Sequence, residues 1–359
     1  MGLSCGLVGL PSCGKTVIFN AITAAGASSF DGAEMNQSMV KVPDQRINKL
    51  VEMYHPRKTT PATLQVVDIP GLKASGGDGR GSRLLGHIKD VEALLHVVRC
   101  FEDGSVPFEH ETIDPVRDIE TVDLELMAAD STTLTNKMNR LTKKVRSGDK
   151  DAIREMADCQ KVHAALQQGI PARKMNLTPQ EKASVYECNL LSLKPVVYVA
   201  NIKSVEDADN RYVKALKTLA DEEGAEMITV CGKDEADISQ LAPEEQKEFL
   251  HDLGLEDSSM ERLLRAAYST VGLISFFTSG EDEVRAWTCQ KGDKAPTAAG
   301  KIHTDLEKGF IRLEVIDYQD LITLGSEAAV AKAGRLHIES RDYEVKDGDI
   351  VMVRFNKAG

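Results

Sequence analysis

Five short runs of apolar and β-branched residues mark the first two thirds of the chain: Leu3 to Leu10, Leu64 to Ile69, Leu94 to Cys100, Pro195 to Ile202 and Met227 to Val230. Helix-compatible stretches such as Val17 to Ala25 lie between them. Nearly continuous apolar strands alternating with helices predict an α/β fold, a doubly wound, mainly parallel sheet with both faces covered. A long polar interruption separates the third run from the fourth. In it Leu124, Met127, Leu134, Met138, Leu141 and Val145 recur at spacings of three, four and seven, with Ser131 breaking the stripe. That spacing predicts a long helix with an a/d seam. Gly148-Asp149 marks a turn, a second helix from about Asp151 to Gln168 runs back, and Gly169-Ile170-Pro171 stops it. The expected element is an antiparallel helical hairpin inserted in the α/β domain. After Leu263 the texture changes to short strands with Gly-containing turns: Ile274 to Phe277, Glu283 to Thr288, Phe310 to Ile316, Arg335 to Ile338 and Ile350 to Phe355. This predicts a small separate module with Trp287 in its core.

Composition narrows the class. The chain has 359 residues, 42% of them hydrophobic, enough for more than one core. The start lacks a basic segment, and its apolar residues are needed for the first strand, so no signal peptide is expected. No apolar run approaches the roughly 18 residues that span a membrane, and no membrane partner is expected. Seven cysteines, at 5, 13, 100, 159, 188, 231 and 289, are widely spaced without a C-x-x-C pair. They read as reduced thiols of a cytoplasmic protein. A net charge of −12 opposes nucleic acid over most of the surface, so DNA is not an expected partner. Any RNA contact needs a local patch, and the densest one is Lys137, Arg140, Lys143, Lys144 and Arg146 near the hairpin tip. Lys137, Arg140 and Lys144 share one helical face there and are the candidate contacts to a ribosome or ribosomal RNA, with a solvated coiled-coil flank as the alternative.

The chemistry begins at Gly9-Leu10-Pro11-Ser12-Cys13-Gly14-Lys15-Thr16, which fits G-x-x-x-x-G-K-[ST] between a strand and a helix. Such a loop wraps backbone N–H groups around phosphate, and glycine permits the required φ values and close approach. Lys15 is placed to reach the β and γ oxygens and Thr16 to hold Mg²⁺, with the helix from Val17 pointing its positive end at the ligand. The nucleotide contacts expected from this loop are Gly9, Ser12, Cys13, Gly14, Lys15, Thr16 and Val17. Cys13 lies near Lys15 and a helix N-terminus, surroundings that favour thiolate, but the expected role is that of a small loop filler. Asp68-Ile69-Pro70-Gly71 ends the second run, where such a protein needs an acid that positions Mg²⁺ through water and a glycine whose N–H senses the γ-phosphate. Lys15, Thr16, Asp68 and Gly71 are therefore the candidate catalytic set. The next residue is Leu72, which cannot orient a water. At the end of the fourth run, Asn201-Ile202-Lys203-Ser204 stands where guanine-specific proteins carry N-K-x-D. Ser204 in place of the Asp undermines guanine selectivity. Cys231 and Gly232 stand where the base-edge loop is expected.

These motifs, with Cys5 to Pro11, Pro43-Asp44-Gln45-Arg46, His96 to Glu102, Glu283 to Thr288 and Ala299 to Asp305, resemble YchF, the Obg-like ATPase family within the P-loop GTPase class. The resemblance covers essentially the whole chain. It implies a nucleotide domain at 1–112 and 194–272, a helical insert at 113–193 and a β-grasp TGS domain at 273–359. It also implies ATP bound at least as well as GTP, slow hydrolysis and association with ribosomes. The chain departs from the family pattern in the first switch, where Gly32 replaces a Thr two residues after Phe30. Ser204 replaces the usual Glu of the base motif, and the stretch Ser75 to Gly81 is about two residues short. His87 keeps a position the family often gives to His, either to place water or to cap the helix.

Two functional readings follow. One is a slow Mg²⁺-dependent ATPase, with GTP also a possible substrate, that switches conformation on a ribosome or RNA-protein partner. The other is a hydrolysis-deficient nucleotide-sensing module, which Gly32 favours. A vestigial nucleotide fold serving only as an adaptor would require the intact loop to be an accident.

Overall fold

The computed structural model describes residues 4–24, 28–29, 36–70, 80–108, 110–252 and 257–356. Its strands in chain order are β1 (Ser4–Val8), β2 (Ser28–Ser29), β3 (Asn36–Lys41), β4 (Lys58–Thr60), β5 (Thr63–Asp68), β6 (Ala93–Arg99), β7 (Val196–Asn201), β8 (Glu226–Val230), β9 (Leu273–Thr278), β10 (Glu283–Gln290), β11 (Phe310–Ile316), β12 (His337–Glu339) and β13 (Ile350–Phe355). The helices that matter most to the site are α1 (Lys15–Ala24), α2 (Gln45–Tyr54), α3 (Arg80–Lys89), α4 (Pro115–Arg146), α5 (Lys150–Gln167), α6 (Pro179–Val185), α7 (Arg211–Glu223) and α8 (Gly232–Ile238). All five strands expected for the α/β domain form, within two residues of their predicted ends.

They build a seven-stranded sheet in the order β2-β3-β5-β1-β6-β7-β8. Strands β5, β1, β6, β7 and β8 are mutually parallel. Every residue of β1, β6 and β7 is buried. That is why these runs read as continuous rather than alternating apolar sequence: helices cover both faces of a parallel sheet. One face packs Val8, Val67, Leu94, Val98, Tyr198 and Ala200 against Ile88 of α3, Ile119, Val122 and Leu126 of α4, and Val213 and Leu216 of α7.

The expected hairpin is α4 and α5. Asp114 caps α4 by accepting from Arg117 N, Pro115 occupies the first turn, and the chain reverses through Gly148 at φ +81° before Asp149 caps α5. The stripe differs from expectation at one end. Leu124 is 59% exposed, because Ile119, Val122 and Leu126 turn the sheet-facing side of α4 the other way. Farther along, Met127 and Leu134 join Cys159, Val162, Leu166, Leu177, Val185, Cys188 and Leu190 in a core belonging to the insert. Ser131, the break in the stripe, hydrogen-bonds across the hairpin to His163 Nε2 at 2.9 Å.

Lys137 is the second correction. It is only 6% exposed, donates to Ser184 O at 2.7 Å and pairs with Glu155 at 2.5 Å, so it braces α4 against α5 and α6 and offers no charge to a partner. Burial opposes its ammonium, and the Glu155 carboxylate more than compensates, raising its pKa. Arg140, Lys143, Lys144 and Arg146 remain exposed.

The chain separates into two compact units, Met1–Val40 with Gln65–Ala267, and Lys41–Leu64 with Tyr268–Gly359. The insert stays with the α/β part because α4 contributes directly to the sheet core. Residues 41–64, which the expected boundaries put in a nucleotide domain at 1–112, group instead with the C-terminal unit.

In that unit β9 and β10 form an antiparallel hairpin, β13 runs parallel to β9, and the sheet order is β12-β11-β13-β9-β10-β4. The helix Ala295–Ile302 lies against one face of the sheet, burying Ala295, Ala298 and Ala299 with Phe276, Cys289, Leu313 and Val351. This is a β-grasp order, with β4 added at one edge. Trp287 is only partly buried beside that core, its indole N–H donating to Thr278 Oγ1 at 2.9 Å and the Arg285 guanidinium 3.8 Å from its ring centroid. Arg46 of α2 pairs with both Asp44 and Asp347, at 2.8 and 2.7 Å.

A buried charge network ties the insert to the sheet. Arg173, between α5 and α6, donates to both carboxylate oxygens of Asp123 on α4 at 2.8 and 2.6 Å and to Tyr198 Oη on β7 at 3.2 Å, and Tyr198 donates to Glu223 on α7 at 2.9 Å. Beside it, burial and then the charge of Arg173 push His96 down to about 3, so its ring stays neutral. Replacing Asp123 with Ala leaves a buried guanidinium short of its main partner, and should destabilise the protein by about 3 kcal/mol, measured as a lowered urea midpoint with unchanged slope.

Candidate functional site

The loop between β1 and α1 is shaped by its neighbours as much as by its own sequence. Gly9 has φ +148° and Gly14 φ +100°. A Cβ on Gly9 would fall 2.4 Å from Val97 O, and one on Gly14 would fall 2.1 Å from Asn201 Nδ2, so both glycines answer a close approach as well as a backbone angle. Ser12 takes φ +61° at the exposed crest.

Lys15 is 7% exposed, and its Nζ donates to Gly9 O and Leu10 O, each at 3.0 Å. The ammonium is therefore enclosed by its own loop. Thr16 Oγ1 donates to Asp68 Oδ2 at 3.3 Å. That pair comes from the register of β1 on β5, in which Leu7 sits opposite Asp68 at the strand ends where the loop begins. Asp68 Oδ1 is buried and has no hydrogen-bond partner among the described residues. Burial raises the Asp68 carboxyl above its ordinary value, while the Lys15 charge and the Thr16 hydroxyl pull it down.

Cys13 is buried, and its Sγ lies 4.0 Å from Lys15 Nζ. Burial raises its thiol, outweighing Lys15, so the surroundings do not favour thiolate and Cys13 packs the loop from beneath.

Asn201 holds the base-side loops to this one. Its Nδ2 donates to Cys13 O at 2.9 Å, and its Oδ1 accepts from Gly232 N at 3.3 Å at the start of α8. Cys231 is buried, its thiol 3.2 Å from Lys203 O and raised to about 11 by burial. Ser204 turns back to Asp207 Oδ2 at 3.3 Å, ahead of the 3-10 turn Val205–Asp207. Val17 and Thr16 are exposed beside Ser12. The structure thus brings together Gly9, Cys13, Gly14, Lys15, Thr16, Asp68, Asn201, Cys231 and Gly232. Phe30, Gly32, Gly71, Leu72 and residues 75–79 lie outside the described residues. His87 sits in the last turn of α3, its carbonyl accepting from Asp90 N at 3.2 Å. Val97 was not foreseen: it shapes the loop through a backbone carbonyl, and no side-chain pattern signals that.

Among the described residues no group of three His, Cys, Asp or Glu could hold a metal, and no helix is long and apolar enough to cross a membrane. The site's oxygen donors are instead Thr16 and Asp68.

Two family models match the chain. Residues 4–142 match the family described as 50S ribosome-binding GTPase, and residues 273–356 match the family of the YchF GTPase C-terminal region, described as a protein of unknown function. The chain is 43% identical over 365 residues to the ribosome-binding ATPase YchF of Bacillus subtilis (strain 168), covering 99% of this chain and 100% of that protein. It is 42% identical over 362 residues to the ribosome-binding ATPase YchF of Escherichia coli O157:H7, with coverage of 99% and 100%. The solved structure of the Schizosaccharomyces pombe YchF GTPase superimposes with a TM-score of 0.87 at 33% identity, covering 98% of each chain.

Replacing Asn201 with Ala leaves Cys13 O and Gly232 N without their partner and should cost about 2 kcal/mol. Gly14→Ala should cost at least about 1 kcal/mol through clash and strain. Because both act at one contact, the double variant should lose less than the sum in urea unfolding; strict additivity would show that Gly14 and Asn201 do not meet.

Proposed function

The chain belongs to the YchF family, and from that premise we propose that it is a slow ATPase, with GTP as a weaker or equal substrate, that acts as a nucleotide-dependent switch on ribosomes. One observation carries the reading: the loop after β1 encloses a lysine in its own carbonyls while its Thr16 hydroxyl meets Asp68 across the strand ends. Lys15 has exchangeable partners in Gly9 O and Leu10 O, and the anionic β and γ oxygens of a triphosphate are stronger acceptors in their place. The N–H groups from Ser12 to Val17 at the start of α1 supply the rest of the cradle, with Gly9 and Gly14 giving the backbone room to close on phosphate.

Mg²⁺ fits the residues present, since Thr16 Oγ1 and the buried Asp68 Oδ1, which has no hydrogen-bond partner among the described residues, are hard oxygen donors beside the loop. Bound there with the triphosphate, Mg²⁺ would supply neutralisation of phosphate charge. Thr16 would hold it directly and Asp68 through water, while the N–H of Gly71, directly after Pro70, would address the γ-phosphate. Leu72 offers the attacking water no hydrogen bond, so turnover rests on positioning and charge alone. Asn201 contributes to base selection indirectly, by fixing Gly232 and Cys231; Ser204 is engaged with Asp207 and brings no carboxylate to a guanine.

The printed names of the relatives join ATP hydrolysis to ribosome binding. On this acidic chain the surface suited to ribosomal RNA is the exposed set Arg140, Lys143, Lys144 and Arg146 at the end of α4. Residues 273–359 are read as the TGS module, and the seven free, buried cysteines suit a reducing cytoplasm.

Lys15→Ala should abolish ATP binding in a folded protein, and wild type should bind ATP no more weakly than GTP, with hydrolysis below about 10⁻² per second. Calorimetry with both nucleotides checks the first two, and a GTP preference above about a hundredfold, roughly 2.7 kcal/mol, overturns the base assignment. Absence of turnover with and without ribosomes would leave the nucleotide-sensing module as the reading.

Reversing the charges of Arg140 and Lys144 should weaken salt-sensitive co-sedimentation with ribosomes and leave ATP affinity unchanged. Identical sedimentation at low and moderate salt would make these charges a solvated flank only.

A further inference from the structure

The carboxy-terminal end of a helix presents carbonyls that carry partial negative charge and need donors. At the end of α3 those donors come from a segment a hundred residues away. Lys89 O accepts from Asn189 Nδ2 at 2.9 Å and from Lys194 Nζ at 3.2 Å. Lys194 also donates to Val91 O at 2.5 Å and Asn189 Oδ1 at 3.3 Å. This lysine is only 8% exposed, and among the described residues no carboxylate is one of its hydrogen-bond partners. Burial lowers its pKa, with Glu92, Asp130 and Asp90 opposing. Asn189 takes φ +44° and ψ 58°, the left-handed region that asparagine adopts more readily than other residues bearing a side chain. A helix end can be capped by one glycine with local N–H groups. A buried ammonium from the exit of the insert is a costly substitute, which points to a use for the link itself.

The link continues. Leu191 N and Ser192 N donate to Asp130 of α4 at 2.7 and 2.8 Å, and Ser192 Oγ to the same carboxylate at 2.6 Å. Asp130 lies one turn before Leu134, on the helix that ends in the exposed basic tip. Hydrogen bonds therefore run without a gap from the end of α3 to the middle of α4. At its other end α3 follows the segment that leaves Asp68.

We propose that Lys194 and Asn189 are positioning residues for ATP hydrolysis: they fix the trailing end of α3 to the base of the helical insert, so that the setting of α3, the helix that follows Asp68 in the chain, and the setting of the hairpin change together. The proposal rests on the ATPase reading above.

The test uses full-length Lys194→Met and Asn189→Gly. The second removes the Asn189 bonds to Lys89 O and Lys194 Nζ but keeps the Lys194 contacts and places glycine at φ +44°, an angle glycine takes freely, so it folds even where the first does not. Steady-state hydrolysis should show kcat reduced at least about fivefold with KM for ATP unchanged within about twofold, the scale of ordinary coupling between sites. Hydrogen exchange with and without AMPPNP gives the readout that a purely structural role would not move. In wild type AMPPNP should alter exchange both in residues 9–16 and in residues 186–194; in the variants only the first response should survive. Unchanged kcat in a folded variant, or an undiminished response at 186–194, overturns the proposal. No AMPPNP response at residues 9–16 of wild type would instead remove the ATPase reading, and the proposal with it.

Discussion

Everything at the nucleotide loop depends on how closely its backbone approaches two neighbours. At Gly9 the obstacle is a carbonyl of β6, at Gly14 the amide of Asn201, and neither leaves space for a single methyl group. This closeness gives the loop its curvature, encloses Lys15 against Gly9 O and Leu10 O, and sets Thr16 within reach of Asp68. The loop is thus held from below by a parallel sheet whose central strands are wholly buried, which is a stiffer support than a surface turn could provide.

The same buried sheet explains why the helical insert behaves as part of the nucleotide unit. Tyr198 lies on β7 three residues before Asn201, and shares Arg173 and Glu223 with α4 and α7. Replacing such a network with apolar side chains could serve stability equally well; what charges add is a fixed geometry between the elements they join. Asp130 repeats the device farther along α4, accepting three hydrogen bonds from the segment that leaves the insert. A lever whose base is bonded at two levels can transmit a tilt that a hydrophobic seam alone would absorb.

In the C-terminal unit, Arg46 has a comparable place. It joins Asp44 at the start of α2 to Asp347, whose other oxygen accepts from Ser275 N, and its guanidinium lies 5.2 Å from the centre of the Phe277 ring. Residues 41–64 are thereby committed to the β-grasp sheet. The chain enters and leaves that segment through β3 and β5, and β5 ends in Asp68.

By itself the sequence determined the strands, the hairpin and the identity of the loop, because each is signalled locally: continuous apolar runs, a 3.5-residue stripe with Gly-Asp at its turn, and glycines and a lysine at fixed offsets. It could also locate Asp68 and Asn201, since each is the penultimate residue of an apolar run. Tertiary structure decided which charges are free. Lys137 and Arg140 look alike on a helical wheel, yet one is buried against Glu155 and Ser184 and the other is exposed, because α6 packs on only one of them. It likewise decided that Cys13 is a packed thiol and that Leu124 faces outward. Burial of a side chain depends on segments far away in sequence, and those distant neighbours leave no trace in local pattern.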